Sequence, residues 1–310
     1  MGKKGDAVDG VLLLDKPEGM SSNWALQLSR RLINAQKAGH TGTLDPFATG
    51  LLPLAFGNAT KYSADLLHAD KRYEAVLRFG SATDTMDKTG EVLETSDVRP
   101  TREALEALLP QFTGEIEQMP PMYSAIKRDG KNLYELARRG IEVERHPRKV
   151  TVHRLELKEF DGETAKIDVH VSKGTYIRVL ADDIGRKLNC FAHLESLRRT
   201  EVGNLRIADA IPFAVIDDKN KSVEERRALM KGADFLLQSL GAVHLDAVQT
   251  VRLRNGQRLP IKDARHGQLL RAYGSAGELL GTVKVDARGT LHPHRLIRFE
   301  TTTLETNGEE

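Results

Sequence analysis

Residues 39–50 read GHTGTLDPFATG, a stretch that fits either a turn-rich connector or a loop that does chemistry. Asp-Pro and Gly are ordinary turn residues, so it suits a connector. Glycines also let a backbone come close to a ligand, and Asp45 brings a carboxylate that can serve as nucleophile or base. The twelve residues alone leave both readings open. A Walker-type phosphate loop is excluded, because it needs Gly-Lys-Ser/Thr and the stretch has none. A glycosidase-like pair would need a second carboxylate, which the sequence does not place near Asp45. Asp87-Lys88-Thr89-Gly90 matches the aspartyl-phosphate motif of ion-pumping ATPases, but no apolar run is long enough for a pump's membrane span, and we read the match as accidental.

Outward from the loop, the chain reads as mixed helix and strand. Asp9 to Leu14 is a short apolar strand, closed by the turn Lys16-Pro17-Glu18-Gly19. Ser22 is read as the N-cap of a helix whose apolar face is Trp24, Leu28 and Leu32. Leu51 to Phe56 is a buried strand and Ala59 to Leu67 a helix. Tyr73, Ala75, Leu77 and Phe79 then alternate with Glu74 and Arg78, as in a strand. Leu105, Leu108, Leu109 and Phe112 mark a further helix. Ile167, Val169 and Val171 alternate with Lys166, Asp168 and His170 in a strand that runs into Ser172-Lys173-Gly174-Thr175. The next helix carries Ile177, Leu180, Ile184 and Leu188 on one face. Residues 119–149 form an exposed basic excursion with a short helix from Leu133 to Arg139, and residues 221–240 a charged helical segment. From Val243 onward short strands and glycine turns dominate. A first domain is therefore expected at 1–242, a small β-rich one at 243–300, and a disordered tail at 301–310.

At 310 residues the chain can bury a large core and build two domains. The longest apolar runs are too short for a membrane span or a secretory leader, so no membrane and a cytoplasmic address are expected. Cys190 is the only cysteine, which excludes an internal disulfide and a multi-cysteine zinc site. The formal net charge of +2 hides an uneven distribution. Residues 61–120 hold seven Lys/Arg against twelve Asp/Glu, residues 121–150 eight against four, and residues 241–300 ten against five. The two basic segments suit surfaces that neutralise phosphates.

Several blocks, in one order and spacing, carry a resemblance. GVLLLDKPEGMSS (10–22), GHTGTLDPFATGLLP (39–53), DKRYEA (70–75), MPPMYSAIKRDGKNLYELAR (119–138), SKGTYIRVLADDIG (172–185) and HLESLRRT (193–200) together resemble the bacterial tRNA pseudouridine synthase B (TruB) family over roughly residues 8–300. The resemblance implies an α+β fold: a pseudouridine synthase catalytic domain on a mixed, mainly antiparallel sheet flanked by helices. It also implies a thumb-like insertion at about 119–149 and a PUA-like RNA-binding domain at the C-terminus. The implied reaction is isomerisation of uridine to pseudouridine at position 55 of the tRNA T loop, with no cofactor, no metal, tRNA as partner, no obligatory protein partner and a monomeric chain.

By the same resemblance Asp45 matches the catalytic aspartate, acting on C1′ of the ribose, on C6 of the ring, or as base towards a glycal intermediate. Arg178 matches the arginine paired with it, and a nearby guanidinium is expected to lower the carboxyl pKa. Tyr73 resembles the tyrosine stacked on the flipped base, Tyr176 a second pocket residue and Leu197 an apolar or backbone contact. His40 is expected to pack against displaced loop nucleotides, and Lys16 to contact phosphate or pack the loop. Lys127, Arg128, Lys131, Arg138 and Arg139 of the thumb, with Arg252, Arg254, Arg258 and Arg271 of the β-rich part, are expected to meet RNA phosphates. Two other readings are an RNA-binding or RNA-folding protein, and a guide-dependent synthase of the archaeal and eukaryotic kind; the thumb-like 119–149 speaks against the latter.

Overall fold

The computed structural model describes residues 5–124, 127–128, 131–132, 140–141, 143–261 and 265–297. The expected helix from Leu133 to Arg139 and the expected disorder of 301–310 lie outside the described residues.

The strands are β1 (Gly10–Lys16), β2 (Ala38–His40), β3 (Thr49–Phe56), β4 (Lys71–Phe79), β5 (Ser81–Thr83), β6 (Val92–Thr95), β7 (Gly114–Gln118), β8 (Lys127–Arg128), β9 (Lys131–Asn132), β10 (Arg148–Phe160), β11 (Thr164–Val171), β12 (Ala192–Val202), β13 (Leu205–Arg206) and β14 (Ile211–Pro212). Among the described residues ten of them form one sheet, in the order β14-β1-β3-β12-β4-β11-β10-β7, with β2 beside β3 and β13 beside β12. β1 with β14 and β3 with β12 are parallel; the other pairings are antiparallel.

Two hydrophobic patterns explain how the sheet is covered. β1 and β3 are nearly continuous apolar runs because both faces are buried. Leu12, Leu14, Leu52 and Leu54 enter the main core, while Val11, Leu13, Leu51 and Ala55 enter a second cluster on the opposite face with Ala59 and Leu66. β4 and β11 alternate instead. Tyr73, Ala75, Leu77 and Phe79 join the main core, and the other face carries Arg72 on Asp168 at 2.9 Å and Arg78 on Glu195 at 2.7 Å. Each fully buried Leu contributes on the order of 1.5–3 kcal/mol. Helices Ser22–Leu32, Arg102–Leu108 and Ile177–Lys187 cover the main core with Ala25 and Leu26, Leu105 and Leu108, and Ile177, Leu180 and Ile184.

The first helix differs from its sequence reading. Its N-cap is Ser21, whose hydroxyl accepts from Trp24 N, and Ser22 is already helical. The Ser22 hydroxyl is taken by the loop: it accepts from Leu44 N at 2.8 Å and donates to Leu44 O at 2.9 Å. That anchor sets which face of the helix is inward. Ala25, Leu26 and Ser29 are buried, and Trp24 is 56% exposed. The expected helix from Ala59 to Leu67 is broken into a 3-10 turn, Gly57–Lys61, and a short helix, Ser63–Leu67.

The C-terminal sheet consists of β15 (Gly241–His244), β16 (Leu259–Pro260), β17 (Leu269–Tyr273), β18 (Leu279–Val285) and β19 (Thr290–Leu296), in the order β15-β17-β18-β19-β16. It closes on its own core of Leu245, Leu253, Leu270, Leu280, Val283, Val285 and Leu291. Ala247–Arg254, read from sequence as strand texture, is a helix, because Asp246 and Gln249 form a reciprocal capping box. Tyr62 Oη donates to Arg295 O at 3.0 Å and Arg295 Nη1 to Lys61 O at 3.0 Å, tying this sheet to the 3-10 turn that follows β3.

Candidate active site

The loop between β2 and β3 is pinned from three sides. Ser22 holds both backbone groups of Leu44, and Gly19 N donates to Pro46 O at 2.8 Å. Lys16, fully buried at the end of β1, donates from Nζ to Pro17 O at 2.8 Å, Met20 O at 2.7 Å and Pro46 O at 3.4 Å. From the far side Arg199, 1% exposed, donates to Leu51 O at 2.8 Å, Thr43 O at 3.4 Å and Gly42 O at 3.2 Å. Gly50 makes that crossing possible. Its φ is +102°, and a Cβ there would lie 2.3 Å from Arg199 O.

Asp45 projects from the pinned loop with 36% of its side chain exposed, and Arg178 Nε lies 3.0 Å from its Oδ2. Arg178 comes from the first turn of helix Ile177–Lys187, placed there by the turn after β11. Its other donors are also occupied: Nη1 on Thr85 O at 2.9 Å and Nη2 on Tyr123 O at 2.7 Å, with Asp87 Oδ2 at 3.7 Å from Nη1. Asp87 is buried and is held in turn by the Thr85 hydroxyl at 2.9 Å and Thr89 N at 3.0 Å. The guanidinium is thus a fixed fork with no freedom to swing.

The pair opens onto a cleft of about 290 Å³, lined also by Tyr73, Tyr176, Leu197, Lys71 and Arg199. This is near the lower end of small-ligand sites and suits one planar group. Tyr73 and Leu197 reach it from the adjacent strands β4 and β12, and Tyr176 from the turn before the helix, where its backbone is clamped by the Gln118 side chain at 3.0 and 3.2 Å. Five residues singled out from sequence, Asp45, Tyr73, Tyr176, Arg178 and Leu197, therefore line one cleft.

Burial dominates the electrostatics. The Asp45 carboxyl lies above the ordinary aspartate value: dehydration is the largest cause, Arg178 and Lys16 pull it down, and the like charge of Asp87 adds to the rise. Arg178 pulls the carboxyl down as expected, but loss of water outweighs the guanidinium and sets the net direction. Burial also brings Lys16 down to about 8, with Asp45 holding it up, and Lys71 down to about 8, with Arg199 contributing. Lys71 spends its ammonium on Leu66 O, Leu67 O and Ala69 O. The cleft is thus backed by three buried cations, Lys16, Lys71 and Arg199, and its potential favours negative charge.

The amino-acid matches over the same residues decide the family. The description "TruB family pseudouridylate synthase (N terminal domain)" matches residues 30–177, and two TruB C-terminal descriptions match 178–238 and 241–297. A tRNA pseudouridine synthase B of Aromatoleum aromaticum is 50% identical over 299 residues, covering 96% of each chain. One of Cupriavidus metallidurans is 51% identical over 301 residues, covering 94% of this chain and 95% of its own. The chain belongs to the TruB family. Its fold is also that of a chain in the structure of an H/ACA RNP bound to a substrate RNA containing 2′-deoxyuridine, with TM-score 0.68 and 22% identity over 94% of this chain and 86% of that one. A chain of a Cbf5-Nop10-Gar1 complex has TM-score 0.64 and 26% identity, covering 89% and 78%.

Within this TruB fold the remaining sequence-predicted residues fall elsewhere. His40 lies on β2 opposite Leu54, its Nδ1 accepts from Gly42 N at 3.4 Å, burial lowers its pKa, and it does not line the cleft. Lys16 is spent on carbonyls, which fits loop packing and leaves no ammonium for phosphate. Lys127, Arg128 and Lys131 are in the β8–β9 hairpin, but their side chains, and Arg138 and Arg139 entirely, lie outside the described residues. Of the C-terminal arginines, Arg254 meets Glu278 at 2.9 Å, Arg258 meets Asp286 at 3.3 Å, Arg252 donates to Gln257, and Arg271 sits 5.8 Å over the Tyr273 ring. Sequence reading missed Lys71, Arg199 and Asp87. The first two stand inside the matched blocks DKRYEA and HLESLRRT, so the blocks themselves were the available signal.

Proposed function

We propose that this TruB chain isomerises uridine to pseudouridine at position 55 in the T loop of tRNA, with Asp45 as the reacting carboxylate and no cofactor. The observation that carries the reading is Asp45, held at 3.0 Å by Arg178 at the mouth of a one-base cleft with Tyr73 in its wall. The C1′–N1 bond breaks, the ring turns, and a C1′–C5 bond forms; C5 gives up its proton and N1, freed from the sugar, takes one up. Atoms and electrons balance without redox change or group donor. Asp45 acts by attack at C1′, by attack at C6, or by taking a sugar proton to form a glycal.

A base stacked inside a folded loop must first be extruded. Tyr73 is proposed to take up the lost stacking, worth about 1–3 kcal/mol per base. Tyr176 and Leu197 shape the slot. The three buried cations favour the negative charge that uracil gathers as its bond to the sugar breaks. His40, outside the cleft, is proposed to meet displaced loop nucleotides, and the thumb and the PUA-like sheet to hold phosphates, for which Arg254 and Arg258 exchange carboxylate for phosphate partners. The RNA is proposed to be handled by the chain alone, as a monomer in the cytoplasm.

The test is an isolated T-stem-loop RNA offered to the purified chain with no guide RNA and no other protein. Full conversion of the one target uridine is expected, with affinity falling steeply as salt rises, by a log–log slope of about −0.7 to −0.9 per phosphate contact. Conversion that appears only after a guide RNA or partner protein is added would instead favour a guide-dependent enzyme.

A further inference from the structure

Helix Ser22–Leu32 carries a second surface suited to RNA. Trp24, the only tryptophan of the chain, is 56% exposed at its start. Trp24, Gln27, Leu28 and Arg31 follow at helical spacing and line a groove of about 560 Å³, to which Arg30 and Gln36 also contribute. At 1.5 Å per residue the stripe from Trp24 to Arg31 spans about 10 Å, room for two or three nucleotides stacked at about 3.4 Å.

Charge selects the occupant. The helix SNWALQLSRRL contains no acidic residue. Arg31 makes no ion pair or side-chain hydrogen bond among the described residues, and Arg30 makes only a 3.4 Å contact to Gln36 O while its buried Nε has no partner. The Asp6 carboxylate is already held by Arg227 and Asn34. An exposed indole beside guanidiniums that have no carboxylate partner among the described residues is the combination that holds single-stranded nucleic acid: a sequence-tolerant stacking platform with cations for the phosphates. The helix that carries this outer surface also anchors the reaction loop from its inner side, where Ser22 holds Leu44.

We propose that this groove is an accessory RNA site, in which Trp24 stacks on an unpaired base of the bound tRNA outside the flipped uridine and Arg31 meets its phosphate. The inference rests on tRNA being the substrate, but it assigns a different surface from the cleft. Occupation of this site tethers the RNA and leaves the chemical step unchanged.

Because Trp24 is the sole tryptophan, its fluorescence reports the site directly. Titration of the full chain with tRNA is expected to quench it, at a midpoint matching filter binding. Trp24→Ala and Arg31→Glu are each expected to weaken tRNA binding about tenfold, with kcat for pseudouridine formation unchanged and, in Arg31→Glu, a shallower salt dependence. Both positions face the groove, and an unchanged Tm identifies each variant as folded. If tRNA binds and is modified while Trp24 fluorescence and both variants' affinities stay at wild-type values, the accessory site is wrong and the proposed function stands. If the wild-type chain neither binds nor modifies tRNA, both fail.

Discussion

Asp45→Asn is expected to abolish pseudouridine formation, lowering single-turnover rates by at least about 10⁴-fold, with RNA affinity close to wild type. The amide fills the same space beside Arg178 but can neither attack carbon nor take a proton. The same substitution has an expected signature in stability. The carboxyl's folded value is raised above its unfolded one, so the protonated form is favoured by folding, and this contribution is lost as pH rises through the folded value. At neutral pH the ionised Asp45 is therefore a burden on the fold, and the neutral Asn variant should melt no lower than wild type. Calorimetry at pH 7 and near pH 3.5 checks this, with any advantage of the variant shrinking at the acid end. Wild-type activity should correspondingly fall, as pH is lowered, from a higher pH than an unperturbed aspartate would give.

Arg178→Lys is expected to cost at least about 10²-fold in kcat despite the conserved charge, with a smaller change in KM. The guanidinium meets Asp45, Thr85 O and Tyr123 O at 2.7–3.0 Å with Asp87 close by, and an ammonium on a flexible stem cannot serve all of these at once. A misplacement of about 1 Å at a reacting group is enough for a loss of this size. The buried carbonyls left without a donor should also lower stability, by about 1–3 kcal/mol each. Pre-steady-state kinetics with a labelled T-stem-loop separates the rate effect from binding; a variant at wild-type rate would show that charge alone, without the fork, suffices.

Local pattern made much of the sheet legible. The unbroken run TGLLPLAF of β3 and the alternation of β4 are the expected signs of a strand buried on both faces and of one buried on a single face. Local pattern is not enough where a contact distant in sequence decides. Between Ser21 and Ser22, only the bonds of Ser22 to Leu44 show which serine caps, and so that Trp24 faces outward. Helix Ala247–Arg254 carried a readable signal, Asp246 followed three residues on by Gln249, which the surrounding strand texture obscured.

The site shows the same division. Asp45, Arg178, Tyr73, Tyr176 and Leu197 were found together through the resemblance, and the fold brings them to one cleft. Asp87 stands in a misleading local motif, Asp87-Lys88-Thr89-Gly90; its place near Arg178 comes from burial beside Leu194, more than a hundred residues away. Arg199 acts where β12 runs parallel to β3 at Gly50, a crossing that no local periodicity encodes. The net direction of the Asp45 shift depends on how much water the fold removes, which outweighs the lowering by Arg178 and which the sequence does not show.

The Asp45 carboxylate, fixed by Arg178, is proposed as the group that meets the extruded nucleotide. A crystal structure of the chain with T-loop RNA carrying 5-fluorouridine at the target position tests it most directly. The modified nucleotide is expected in the cleft against Tyr73, with an Asp45 oxygen bonded to, or within about 3.5 Å of, C1′, C6 or the sugar proton it would remove. A nucleotide seated in the cleft with Asp45 turned to solvent, or bound elsewhere on the chain, would contradict it.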